Sequence, residues 1–270
     1  MKNRRPDKLP YRSGTSLACA FALLLAGTTK AFADDETPEP SVTPYRPTVS
    51  NPADLPVPGW LEGEFGGLRT QGEDHSRDDS VPWLLKYAFD ENHGLLLGGN
   101  AYASAQAPGA VAQSSFGDTF VEWKQRFPVS DKAAFGIEAG VVAPTASHGL
   151  GIGTPQWEVT GIFSTDFGAM HLDLNLGEMR GGDQPAEGSP WQTTWAAAIS
   201  TSLTDHLGTA FELSGVRQHG VATTSQSLIA FTYNVSRRLV LDAGGAYGLT
   251  RAAHDRSFFA GATVLIGRLR

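Results

Sequence analysis

The chain has 270 residues, 41% of them hydrophobic and 18% charged, with 31 Gly, 16 Pro and a single Cys. Ample aromatics (10%) exclude a chain disordered throughout, and a net charge of −7 argues against a nucleic-acid partner, which would require a clustered basic footprint. One Cys excludes a disulfide scaffold and a Cys-based zinc cluster, and no cofactor or metal site is expected.

Residues 1–33 read as a secretory signal peptide. Lys2, Arg4, Arg5, Lys8 and Arg12 precede an apolar run from Leu17 to Gly27 that is too short to span a bilayer as a helix, and Ala31-Phe32-Ala33 offers a cleavage site. Its removal takes six Lys/Arg, one Asp and Cys19, leaving 15 basic and 27 acidic residues and a net charge of −12. Residues 34–59 carry Pro38, Pro40, Pro44, Pro47, Pro52, Pro56 and Pro58, which deny the segment a helix or a ladder; it reads as a Pro-rich disordered spacer.

From Trp60 to residue 270 the pattern has period two, in stretches of about ten residues, the length that crosses a membrane as a tilted strand. Over 119–127, Thr119, Val121, Trp123, Gln125 and Phe127 oppose Phe120, Glu122, Lys124 and Arg126. Comparable alternation runs through 133–142, 169–177, 191–203 and 239–249, with 257–267 as the last strand. Short turns begin near residues 90, 128, 166 and 204, a spacing of 38 each time, and a further one lies at 236–238. Longer links fall at 71–80, 105–115, 144–155, 179–190, 217–225 and 251–256. This hairpin repeat counts to about twelve strands, and an even count puts both chain ends on the short-turn side.

The second face is rich in Gly, Ala, Ser and isolated charges, which would fill a dry sandwich core poorly. A transmembrane barrel, apolar toward lipid and polar toward its lumen, accommodates it. Trp60, Trp83, Tyr87, Phe127, Trp157, Phe167, Trp191, Tyr233, Tyr247 and Phe259 would then supply the interfacial girdle. Asp118, Glu122, Lys124, Arg126, Glu138, Glu158, His171, Asp173, Glu212 and Asp242 would point into the lumen. There they could set selectivity, or pair to fill a narrow barrel.

The stretch Phe116-Gly117-Asp118 through Lys124-Gln125-Arg126-Phe127, followed by Phe135-Gly136 through Ala143-Pro144-Thr145 and a Gly-rich loop, resembles one family. It is similar to the outer-membrane transporters named for the MetA pathway of phenol degradation, with Ala146 where that family usually has Gly. The resemblance, best over 84–180, implies a small barrel admitting hydrophobic or aromatic compounds and transfers no catalytic residue.

The expected architecture is therefore all-β, an antiparallel up-and-down transmembrane barrel in the outer membrane of a Gram-negative cell. The expected function is porin-like: a channel or transporter for small, hydrophobic or aromatic molecules. Its expected partners are outer-membrane lipid, the insertion machinery during biogenesis and that solute. Two alternatives stand beside it, a plugged structural or surface-interaction barrel and an outer-membrane lipid hydrolase. The sequence contains no His-x-Ser pair that would seat base and nucleophile on one strand face.

Overall fold

The computed structural model describes residues 40–147, 150–181, 189–253 and 255–269. The signal-peptide reading and the tip of the 179–190 link lie outside the described residues. Twelve long strands form the wall: β1 (Trp60–Gly72), β2 (Arg77–Ala88), β3 (His93–Gln106), β5 (Thr119–Ser130), β6 (Ala133–Ala143), β7 (Gln156–Phe167), β8 (Met170–Gly181), β9 (Trp191–Ser202), β10 (Leu207–Gln218), β11 (Thr224–Ser236), β12 (Leu239–Gly248) and β13 (Asp255–Arg268). A three-residue strand, β4 (Gln113–Ser115), pairs with the outer half of β3. One 3₁₀ turn, η1 (Arg251–Ala253), lies between β12 and β13.

Each long strand pairs antiparallel with its sequence neighbour, and β1 pairs with β13, so the sheet closes on itself. Closure matters because hydrocarbon cannot satisfy an open row of backbone N–H and C=O groups. The alternation in sequence is the alternation in space. On β5, Glu122 and Lys124 are buried in the lumen, while Val121 and Trp123 are 39% and 44% exposed on the outer face. Both chain ends of the barrel lie with the short turns, which in such barrels is the periplasmic side.

Two details differ from the sequence reading. The link expected over 71–80 shrinks to residues 73–76, because β1 and β2 stay paired out to Gln71 and Arg77. Phe259 faces the lumen, opposite Gly244, and the exposed aromatic of that strand is Phe258, at 64%. Phe127, Trp157, Phe167, Trp191, Tyr233 and Tyr247 do lie exposed near strand ends. At mid-height Ile199, Phe211 and Ile229 sit side by side on β9, β10 and β11 in one outward row. Ile229→Arg should cost about 2–4 kcal/mol of stability in a bilayer, the penalty for a cation near the membrane midplane. Urea refolding into lipid vesicles reads it, and a shift below about 1 kcal/mol would place this row outside the hydrocarbon.

The third difference is the largest. Residues 40–59, expected to be a disordered spacer, run inside the barrel. Prolines do exclude this segment from helix and ladder, but its polar backbone finds partners on the lumen wall, which the sequence pattern by itself could not reveal.

Candidate functional site

The lumen segment enters beside the β11–β12 turn, where the Val42 amide donates to Arg237 O at 2.9 Å. It climbs along β1 and β12, turns over at residues 48–52, and descends past β7, β5 and β3 to Gly59, whose amide donates to Ala88 O at 2.8 Å. It is a plug with both feet on the periplasmic side.

Buried charge fastens its lower half. Lys86 on β2 is fully buried: its ammonium donates to Glu64 Oε1 and to Thr43 O, each at 2.5 Å, and is ion-paired with Glu62 Oε1 at 2.6 Å. The remaining oxygens of the two carboxylates take plug amides: Thr43 N donates to Glu62 Oε2 at 2.8 Å and Arg46 N to Glu64 Oε2 at 3.1 Å. Lys124 on β5, also fully buried, donates to Pro52 O at 2.5 Å and is ion-paired with Glu138 Oε1 at 2.9 Å. The Tyr45 ring lies between these lysines, with Lys86 Nζ 3.8 Å and Lys124 Nζ 4.0 Å from its centroid. Desolvated cation–π contacts of this kind are worth about 2 kcal/mol. The Tyr45 hydroxyl donates to Asp54 O at 2.7 Å, joining the two arms. Burial first, then the nearby Glu138 and Glu64 carboxylates, hold the phenol well above its ordinary pKa, so it stays a neutral donor.

Glycines on the wall make room for this segment. Arg46 reaches Asp242 on β12 through Nε at 3.0 Å and Nη2 at 2.8 Å. Its guanidinium lies over the cross-strand pair Gly66 and Gly261, where a Cβ would come within 2.7 and 2.6 Å of its nitrogens. Gly94 likewise leaves space for Leu55.

The ten sequence candidates divide into four groups. Lys124, Glu138, Arg126, Asp242 and Glu212 hold the plug, Arg126 through Asp54 at 2.8 Å and Glu212 through Ser50. Glu122 and Glu158 line the outer part of the lumen together with Glu138. His171 and Asp173 belong to the inner part, where the His171 nitrogens lie 2.6 Å from Asp166 and 3.1 Å from Asp173. Ser164 donates to Asp173 at 2.5 Å and accepts from the Ala53 amide, so it is not paired with His171 as a nucleophile with its base would be. Asp118 sits at the outer mouth and accepts the amides of Ala146 and Ile152 at 3.0 and 2.7 Å, pinning the β6–β7 loop. Asp118→Ala should release that loop and raise its cleavage rate by added protease on intact cells; an unchanged rate would mean the loop is held elsewhere.

Sequence reading missed Glu62, Glu64 and Lys86 and the plug residues Tyr45, Arg46, Ser50, Asn51 and Asp54. Glu62 and Glu64 were open to it, being two acids at i and i+2 on one strand face.

The plug leaves an outer cavity of about 620 Å³, lined by Val49, Asn51, Phe120, Val142 and Asn175 among others. A side cavity of about 500 Å³ lies between the plug and Leu84, Asn100 and Phe120. An inner cavity of about 470 Å³ is lined by Pro52, Asp173, Ala198 and Ala210. Among the described residues no group of three metal-ligating side chains occurs.

Neither a protein-family model nor a curated protein sequence matches this chain. Among solved structures it is similar to an outer-membrane channel from Pseudomonas putida F1, with a TM-score of 0.62 at 12% identity over 79% of this chain and 98% of that one. It is also similar to NanC porin (TM-score 0.57, 8% identity, 76% and 100% covered) and to KdgM porin (0.54, 9%, 76% and 99%). The closed twelve-strand wall, its apolar outer face and these likenesses define an outer-membrane β-barrel.

Proposed function

We propose that this protein is an outer-membrane channel that passes small molecules through the lumen, beside its own N-terminal plug. The observation that carries this is the pair of cavities, about 620 and 470 Å³, lying on either side of the plug within one closed wall. A barrel kept only as a structural element has no need of two solvent-sized chambers in line.

The lining points to the solute. Phe120, Val142, Val49 and Leu84 give the outer cavities an apolar side, suited to a hydrophobic or aromatic compound. This agrees with the resemblance of residues 84–180 to the phenol-degradation transporters. One of the similar barrels, KdgM porin, was solved with an oligogalacturonate, an acidic chain. Here the carboxylates Glu62, Glu64, Glu122, Glu138, Glu158, Glu212, Asp173 and Asp242 outnumber the lumen cations Lys86, Lys124, Arg46 and Arg126, so an anionic solute is disfavoured. The test is permeability of reconstituted liposomes, with neutral aromatic alcohols expected to enter faster than oligogalacturonate. Equal rates, or none above protein-free vesicles, would refute it. A second reading, a closed barrel acting through its surface, draws on the number of bonds holding the plug, and the same vesicles distinguish it by showing no permeation at all.

A further inference from the structure

The plug is not fastened evenly. Its arms are held by buried charges: Lys86 and Lys124 on either side of Tyr45, and the two-point Arg46–Asp242 pair. The turn between them, residues 48–51, is built differently. Thr48 Oγ1 lies 3.0 Å from Ser50 O and 3.3 Å from Tyr45 O, so the turn is bonded within itself. Val49 at its apex is an apolar side chain left 57% exposed in the outer cavity.

The Lys124 ammonium holds Pro52 O at the base of the turn, at 2.5 Å, and beyond it only neutral donors tie the tip across the lumen. The Ser50 amide and hydroxyl donate to Glu212 Oε2 at 2.8 and 2.9 Å, and the Asn51 amide donates to Asn175 Oδ1 at 2.7 Å. Asn175 Nδ2 returns a bond to Asn51 O at 2.9 Å, and Asn51 Nδ2 donates to Glu138 Oε2 at 2.9 Å. Glu212 is fully buried on β10, and its other oxygen, Oε1, has no hydrogen-bond partner. A carboxylate buried with half its acceptors empty weakens the closed arrangement, because water would satisfy it if the tip moved away.

The wall that the tip closes against is made of small side chains. Ala196 and Ala198 on β9, Ala210 and Ser214 on β10, and Ala230 on β11 are all buried on the lumen face. Outer and inner cavities share this wall at successive levels: Asn175 and Asp173 on β8, Ala196 and Ala198 on β9, and Ser214 and Ala210 on either side of Glu212. Neighbouring lumen-facing residues on a strand are about 6.6 Å apart, so the barrier between the chambers is about one side-chain layer thick.

We infer that residues 48–51 are a flap on fixed arms, that the bonds of Ser50 to Glu212 and of Asn51 to Asn175 and Glu138 are its latch, and that Glu212 becomes the selectivity charge of the passage opened along the β8–β11 wall. This rests on the channel reading and adds which part moves, where the path runs and which solutes it prefers. Cations and neutral molecules pass a bare carboxylate more readily than anions do.

The experiment uses full-length protein in planar bilayers, in a Cys19→Ser background, with two disulfide tethers. Asn51→Cys with Asn175→Cys fixes the tip to the wall; Val42→Cys with Arg237→Cys fixes the foot of the plug. The tip tether should abolish conductance until reductant is added, and the foot tether should leave it unchanged. Glu212→Gln keeps an acceptor for Ser50 without the charge, and should bring the K⁺/Cl⁻ permeability ratio toward one. Gel mobility of unheated samples verifies that each variant is a folded barrel. Full conductance with the tip tether closed, or equal block by the foot tether, overturns the flap while leaving the channel standing. An unchanged K⁺/Cl⁻ ratio in Glu212→Gln overturns its assignment as the selectivity charge. Silence of every variant, together with that of a barrel whose plug has been replaced, removes the channel reading and the flap with it.

Discussion

Replacing residues 42–57 by a Gly/Ser linker of equal length should raise single-channel conductance several-fold while the barrel stays folded. The two halves of this expectation have separate physical grounds. The wall is closed by its own ladder, from the β1–β13 pairing round to β2–β3, and no plug residue takes part in it. The lumen face, in turn, has nothing with which to refill the space. Gly66 and Gly261 underlie Arg46, Gly136 lies against Ala53, Gly94 lies against Leu55, and the β9–β11 side offers alanines. Side chains so short cannot collapse into the vacated volume, so water occupies it and joins the outer and inner cavities. Lys86 and Lys124 would lose the carbonyl oxygens of Thr43 and Pro52, which water replaces, but keep their carboxylates on the wall. Conductance equal to that of the intact protein, in a barrel still compact on an unheated gel, would show that the plug does not lie across the ion path.

The same glycines explain how far the sequence could be read. Period-two alternation made the wall legible, because in lipid every strand must present one apolar face, and Val121 and Trp123 against Glu122 and Lys124 express that rule residue by residue. It also identified the other face as too small and too polar to pack upon itself. What it could not say is whether water or chain fills the remaining volume. A Gly that admits water and a Gly that admits Arg46 are the same letter, and the choice is made by a contact between residues 46 and 261 that no local pattern records. The plug was hidden for a second reason. Its prolines, together with the acids before them, match the composition of a solvated linker, and its order comes from wall groups such as Glu62, Glu64 and Lys86, which accept or donate to its backbone. Of the ten candidates chosen for their place in the alternation, Asp118 differs because it precedes β5 and is therefore governed by loop geometry.

Lys86→Met should be the most destabilising single change in the lumen, by about 3–5 kcal/mol, the cost of leaving a buried ionic network without one of its partners. Met keeps the length of the aliphatic stem, so packing is nearly preserved and the loss is that of the ammonium. Glu62 and Glu64, which flank it on β1, would then face each other's charge in a space water scarcely reaches, and Tyr45 would lose one of its two cations. Two controls separate these contributions. Tyr45→Leu leaves both Lys86 pairs intact and removes two cation–π contacts of about 2 kcal/mol each, one to each lysine, so its cost should approach that of Lys86→Met, half of it being the contact that Lys86→Met also loses. Combining Lys86→Met with Glu62→Gln and Glu64→Gln removes the charges on both sides and should recover part of the loss, because no uncompensated charge is left, while one of the two amides that Glu64 accepts, from Tyr45 and Arg46, loses its acceptor in Gln. Urea midpoints of refolding into vesicles, followed by tryptophan fluorescence, give the three values. A triple variant no more stable than Lys86→Met alone would mean that the lysine acts through its bond to Thr43 O, as a plug anchor, and that the carboxylates tolerate its absence.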